Sequence, residues 1–267
     1  MRYLKEAAIM NEKIAITTAK FDHLAEEAQK LGAHYGINYI ARGNKGINKL
    51  MNMHDLDNML VLSAEGLTAY AINQEEKLRF HPGMAVARLR LANNGPKEPL
   101  LRAVEPFGGM RILDCTLGLA SDAVSLAVHI GEEGRIMGLE AAQALYIVTD
   151  YGLKNCRINN KKIDQALERI SVQNVRYEDF LARTEENFDA VYFDPMFDHG
   201  LYKSSGINAL RPFADYTRLS QQYLEQALSV APKVVVKYRQ NDELGLIFDE
   251  VIKGKYSPIA FGVCYRR

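Results

Sequence analysis

Arg111-Ile-Leu-Asp-Cys-Thr-Leu-Gly-Leu-Ala-Ser-Asp122 decides how this chain is read. An apolar strand ends on a carboxylate, Asp114, the backbone turns through Gly118, and an apolar helix restarts at Ala123. A strand, a turn of small residues and a helix N-terminus are the unit with which an open α/β sheet holds a nucleoside-containing ligand. The acid stands on the strand side of the turn, and the spaced Gly-x-Gly-x-x-Gly of dinucleotide binders is absent. A carboxylate there repels a pyrophosphate and attracts a cationic amino acid group, which favours S-adenosyl-L-methionine (SAM) over a dinucleotide.

Outward from this motif, strands expected at 110–114, 135–140, 170–173, 190–194 and 233–237 alternate with helices at 122–130, 142–155, 161–168 and 217–230. Such alternation implies right-handed crossovers and an α/β fold with a doubly wound, mostly parallel, Rossmann-like sheet. The end of the chain differs: 244–252 reads as helix or strand and is followed by a strand at 259–265, and these last elements are expected to add an antiparallel edge strand. The first hundred residues read as a small α/β unit. It holds a strand at 13–18, a helix at 22–31, a short strand at 38–41 and a meander at 58–63, 67–72 and 77–80. A helix at 84–92 is then broken by Asn93-Asn94-Gly95-Pro96, where the domain junction is placed. The expected domains are therefore 1–95, a substrate-docking α/β piece, and 96–267, the catalytic domain.

With 267 residues, 48 % of them hydrophobic, the chain can bury a full core and carry an accessory piece. No apolar stretch reaches the length of a membrane span and the N-terminus has no secretory pattern, so the expected location is the cytoplasm. Cys115, Cys156 and Cys264 are far apart with no C-x-x-C pair, which argues against a disulfide framework or a zinc site. The 33 basic and 33 acidic residues balance, so nucleic-acid binding does not follow from net charge. The local clusters Lys161-Lys162, Lys233 to Arg239 and Arg266-Arg267 read as solvated charges.

Four acids fall at expected carboxyl ends of strands: Asp114, Glu140, Asp179 and Asp194. Glu140 can accept both ribose hydroxyls. Asp179 can accept from the adenine amino group, with Phe180 packing on the ring, and Glu178 replaces it if the register shifts by one. Thr116 and Gly118 lie in the turn, where Gly118 permits close backbone approach or positive φ. Ser121 and Asp122 either cap the next helix or touch the ligand.

Val191-Tyr-Phe-Asp194-Pro195-Met196-Phe197 is the second signal. It resembles the Asp/Asn-Pro-Pro-Tyr/Phe loop of amino-directed methyltransferases, with Met196 in place of the second proline. An exocyclic purine amine is a poor nucleophile because its lone pair is delocalised into the ring. A carboxylate at Asp194 and a carbonyl at Pro195 can accept its N–H groups and localise that lone pair. Phe197 can stack on the base, worth roughly 1–3 kcal/mol. His199 is a candidate substrate contact and Lys203 a candidate phosphate contact. The chemistry asks for alignment and requires no metal.

Leu113-Asp-Cys-Thr-Leu-Gly-Leu-Ala-Ser-Asp122-Ala123, Asp150-Tyr-Gly-Leu153 and Phe193-Asp-Pro-Met-Phe197 together resemble the bacterial RsmJ (YhiQ-like) small-subunit ribosomal RNA guanine-N2 methyltransferases. The resemblance spans roughly 80–203. It implies that Asp114, Ser121, Asp122, Glu140 and Asp179 surround SAM, that Asp194 to Phe197 face the guanine, and that RNA, from the small ribosomal subunit, is the partner. The chain departs from that pattern at Ser121 and Ala141, where the family carries arginine, and around Lys203, where a lysine-rich stretch is missing. These departures mark a divergent branch. Three other readings remain: an N-methyltransferase acting on DNA, protein or a small molecule, an NAD-dependent oxidoreductase, and a non-catalytic RNA-binding factor. The last has no need of an acid at the Asp194 turn.

Overall fold

A computed structural model describes residues 12–19, 22–83, 86, 98–195, 210–213, 218–242, 244–254 and 257–267. The expected helix at 84–92 (apart from Val86) and its Asn93–Pro96 break lie outside these residues. By its internal contacts the chain forms two compact units.

The first unit draws on 1–80, 142–156 and 201–214. Its strands are β1 (Ile14–Thr18), β2 (Asn38–Tyr39), β3 (Asn58–Ser63), β4 (Gly66–Ala71) and β5 (Lys77–Arg79), in the order β2-β1-β3-β4-β5. β1 is parallel to β2 and β3, and β3-β4-β5 form the expected antiparallel meander. Every residue of β1 is buried, as an interior strand covered on both faces requires. The helix Ala25–Tyr35 ends at Gly36, whose left-handed φ of 69° lets its N–H bond back to Ala33 and Gly32. The helix Ile47–Met53, absent from the sequence expectation, buries Leu50 and Met51. The helix Gln143–Asn155 also belongs here. Glu12 caps it, accepting from the amides of Gln143 (2.8 Å) and Ala144 (3.2 Å).

The second unit draws on 81–141, 157–200 and 215–267. Its strands are β6 (Arg111–Asp114), β7 (Arg135–Glu140), β8 (Ile170–Asn174), β9 (Ala190–Phe193), β10 (Lys233–Arg239), β11 (Glu250–Lys253) and β12 (Ile259–Tyr265). They form one sheet ordered β11-β12-β10-β9-β6-β7-β8. β8, β7, β6, β9 and β10 run parallel, and β12 is antiparallel to both β10 and β11. The mostly parallel doubly wound sheet is the one expected. The last two strands complete the sheet on the side expected of the end of the chain: β12 pairs antiparallel with β10, and β11 takes the edge. Residues 250–253 form strand, which settles the helix-or-strand alternative there. The short helices Pro99–Val104 and Tyr177–Leu181 lie between the expected elements.

From β6 the chain builds outward to β7 and β8, then returns to place β9 on the other side of β6. The strand order reverses at β6 and β9, and their carboxyl ends open a crevice where an α/β sheet binds its ligand. Among the described residues no helix is long and apolar enough to cross a membrane, and no group of three or more His, Cys, Asp or Glu could hold a metal ion.

Candidate active site

Asp114 closes β6 at the reversal point, 2 % exposed, and accepts a hydrogen bond from the amide of Thr116 (3.1 Å). The loop beyond it is tied down on both sides. The Cys115 amide donates to the carbonyl of Tyr192 on β9 (2.9 Å), and the Leu117 amide to that of Leu139 on β7 (3.0 Å). Gly118 takes a left-handed φ of 55° and its N–H donates to Glu140 Oε2 (3.1 Å). Ala120 follows at φ 57°, a conformation that costs a residue with a Cβ on the order of 1 kcal/mol. It starts the helix Ser121–His129 with no capping side chain. Leu117 folds over β7 so closely that a Cβ on Gly138 would stand 2.5 Å from it. The missing side chain of Gly138 therefore lets Leu117 pack against β7.

The acids meet a buried cation. Lys237, on β10, donates to Asp194 Oδ2 (2.6 Å) and to Asp122 Oδ2 (2.9 Å). Asp122 Oδ2 also accepts from the hydroxyl of Tyr192 (2.6 Å). The Asp194 amide donates to Thr116 Oγ1 (2.5 Å), which ties the turn after β9 to the loop after β6. The side chains of Lys237, Asp122 and Asp194 are 16 %, 8 % and 28 % exposed. Burial alone would lower the Lys237 pKa, but the charges and hydrogen bonds of Asp194 and Asp122 outweigh it and hold the ammonium above the usual lysine range. Asp114 is pushed up to about 8, mainly by burial, with the charges of Asp122 and Asp194 adding to the shift. The Thr116 amide and the Lys237 charge act in the opposite direction. Burial and the neighbouring carboxylates also raise the Tyr192 phenol.

The structure thus gathers Asp114, Thr116, Gly118, Asp122, Glu140 and Asp194 at adjoining strand ends. Asp122 neither caps its helix through the N-cap position nor stands alone; it anchors Tyr192 and Lys237. Ser121 and Pro195 are half-buried. At the exit of β8, Asp179 and Phe180 lie half-buried on the helix Tyr177–Leu181. Their neighbour Glu178 is half-buried as well: Oε1 pairs with Arg176 (3.0 Å), while Oε2 is buried with no hydrogen-bond partner. Met196, Phe197, His199 and Lys203 lie outside the described residues.

Sequence reasoning missed Lys237, Tyr192 and Gly138. It took Lys237 for a solvated charge. Its place at the carboxyl-terminal half of a strand flanked by Val234, Val235 and Val236, all fully buried, was the signal that puts it at the ligand end of the sheet.

The donor set fits SAM. Glu140, 7 % exposed, and Asp114 end neighbouring parallel strands and offer acceptors to hydroxyls and to cationic groups. The orphaned Glu178 Oε2 offers a further acceptor at the next strand. The acids outnumber the single lysine, which suits a ligand carrying positive charge and not a pyrophosphate.

The model of the family described as "Putative SAM-dependent methyltransferase" matches residues 47–246. The uncharacterized protein YpiP of Bacillus subtilis is 32 % identical over 216 residues, covering 80 % of this chain and 83 % of YpiP. Ribosomal RNA small subunit methyltransferase J of Francisella tularensis is 25 % identical over 198 residues, covering 70 % of this chain and 78 % of that protein. The crystal structure of the SAM-dependent methyltransferase NGO1261 of Neisseria gonorrhoeae shares the fold, with a TM-score of 0.68 over 94 % of this chain and 96 % of its own, at 18 % identity. With its reversal-point acids, its glycine turn and this family match in agreement, the chain belongs to the SAM-dependent methyltransferase family, and S-adenosyl-L-methionine is its cofactor.

Proposed function

We propose that this methyltransferase modifies an exocyclic purine amine in RNA, namely guanine N2 of small-subunit ribosomal RNA. The observation that carries the reading is the anchored Asp194-Pro195 turn. It stands at the carboxyl end of β9, with the Asp194 carboxylate held by Lys237 and its amide by Thr116. A carboxylate fixed at both backbone and side chain can accept an amine N–H without reorganising, which is how alignment is turned into rate. The N–H bonded to Asp194 localises the amine lone pair, and the same carboxylate holds the proton that leaves as the N–C bond forms. The Pro195 carbonyl serves as the second acceptor. SAM, when bound, supplies an electrophilic methyl group on a sulfonium. Asp114 and Glu140, the latter held by the Gly118 amide, would orient it, and Asp179 or Glu178 would meet the adenine edge. The tetrad Asp194-Pro-Met-Phe197 and the likeness to ribosomal RNA small subunit methyltransferase J support the choice of substrate.

The test compares nucleosides from small-subunit ribosomal RNA of a deletion strain and its parent by mass spectrometry. One methylguanosine should disappear, return with the wild-type gene, and stay absent with Asp194→Ala. Unchanged nucleosides would refute ribosomal RNA as the substrate. Restoration by Asp194→Ala would refute the role given to that acid.

A further inference from the structure

The first unit carries a run without acids. From Asn38 to His54 the chain reads Asn-Tyr-Ile-Ala-Arg42-Gly-Asn-Lys45-Gly-Ile-Asn-Lys49-Leu-Met-Asn-Met-His, with three fixed cations and no carboxylate. Two anchors hold it in place. At one end the Ile40 amide donates to the Ile16 carbonyl of β1 (2.8 Å), and at the other Leu50 and Met51 are buried in the core. Between them Arg42 and Lys45 close a turn: the Lys45 amide donates to the Arg42 carbonyl (3.2 Å) and Arg42 Nε to the Lys45 carbonyl (3.1 Å). Lys49 follows in the first turn of the helix Ile47–Met53. Lys45, Lys49, Asn44 and Asn48 are exposed and Arg42 is half-buried.

The other cations of this unit with described side chains have partners. Lys13 pairs with Asp55, Lys30 with Glu26 and Lys154 with Asp150. Lys77 lies over the Tyr70 ring, and Arg79 Nε donates to Thr68 Oγ1. Among the described residues, no carboxylate stands within ion-pair distance of Arg42, Lys45 or Lys49. Three of these cations are neutralised by carboxylates, whereas Arg42, Lys45 and Lys49 lie in one acid-free run, interleaved with exposed amides, and together have the makings of a polyanion contact. Cations and amides together read a sugar–phosphate backbone, which is the chemistry of positioning and not of base choice.

We propose that Arg42, Lys45 and Lys49 form a docking surface for the phosphate backbone of the substrate RNA, a proposal that rests on the RNA reading given above. Each cation neutralises one phosphate and releases its counterions, so affinity should fall with salt in proportion to the contacts made.

The test uses the full chain, the triple variant Arg42→Gln/Lys45→Gln/Lys49→Gln, and an unmodified transcript of small-subunit ribosomal RNA as probe. Three lost contacts should reduce the slope of log affinity against log salt by about 2–3, and weaken binding on the order of 100-fold near physiological salt but little near 1 M. Binding of S-adenosylhomocysteine should be unchanged, which shows that the variant is folded and its second unit intact. Lys45→Arg/Lys49→Arg should bind as wild type. If wild type binds the transcript and the triple variant keeps the same affinity and slope, the docking surface is refuted while the RNA reading stands. If wild type binds no RNA and the deletion strain keeps every methylguanosine, the RNA reading falls and the surface with it. If the variant loses only binding to vesicles of phosphatidylglycerol, the surface serves a membrane and the proposal is overturned.

Discussion

Lys237→Met keeps the length of the side chain and removes its charge. The substitution breaks two ion pairs at once, to Asp194 Oδ2 at 2.6 Å and to Asp122 Oδ2 at 2.9 Å. Removing one partner of a buried ion pair costs about 3–5 kcal/mol, because the carboxylate left behind loses its compensation without regaining water. Asp122, 8 % exposed, meets that description, and after the change it keeps the Tyr192 hydroxyl as a donor. Asp194 is 28 % exposed, so water screens much of its share. The lower figure, about 3 kcal/mol, is therefore expected. In a unit of about 150–250 residues each kcal/mol moves the thermal midpoint by roughly 2–4 °C, which gives a fall of about 6–12 °C. Thermal unfolding of the full chain near neutral pH, followed by circular dichroism, measures it. A double-mutant cycle assigns the loss: Asp122→Asn should cost at least about 1 kcal/mol less in the Lys237→Met background than in wild type. Well below its midpoint the variant should bind S-adenosylhomocysteine but transfer methyl slowly, since Asp194 has lost its anchor. A midpoint within about 2 °C of wild type, with additive single changes, would refute the account of a buried shared cation.

Three further outcomes follow from the same site and its surroundings. Asp114, held near 8 in the folded protein against an ordinary value of 3.8, binds its proton more tightly folded than unfolded, so it makes stability fall as pH rises from about 4 to 8, by up to about 1.4 kcal/mol per unit. Asp114→Asn should therefore match wild type in thermal midpoint near pH 4, exceed it increasingly toward pH 8, and bind the cofactor more than tenfold more weakly; parallel midpoint–pH curves would contradict the burial argument. Gly138→Ala places a Cβ 2.5 Å from the Leu117 side chain and should cost about 1–3 kcal/mol while weakening cofactor binding in calorimetric titration. Leu117→Ala should restore part of the stability, and an unaffected Gly138→Ala would show the loop free to move. Glu12→Ala should cost about 0.5–2 kcal/mol and speed hydrogen exchange at the Gln143 and Ala144 amides, where unchanged exchange would deny the cap.

The parallel sheet was legible because its strands alternate with helices at regular spacing, and three of them, β6, β7 and β9, run into an acid. β7 and β12 appear at the residues expected, since Arg135–Glu140 and Ile259–Tyr265 are apolar runs with clear polar or glycine borders. The helices Ile47–Met53, Pro99–Val104 and Tyr177–Leu181 were not legible: each is short and starts without a capping side chain, whereas the equally short Lys161–Leu167, capped by Asn160, was expected at 161–168. Asp114, Gly118 and Glu140 could be placed from local sequence because each sits at a strand end or turn. The Lys237 ion pairs could not, because they join two strand ends and a helix start that are up to 115 positions apart. The grouping of Gln143–Asn155 with the first unit depends on contacts such as Gly152 against Phe80, where the missing Cβ admits the ring. No local pattern announces that approach.

The interior place of β12 bears on how the protein is made. β12 pairs along seven residues with β10 and along four with β11, yet it is the last strand of the sheet to be synthesised. Until residues 259–265 have emerged, the valine-rich β10 presents an unpaired edge and β11 has no neighbour. A nascent chain arrested before that point offers a ready template for pairing with another chain, so the second unit depends on its final segment, or on a chaperone covering β10, to escape aggregation during synthesis.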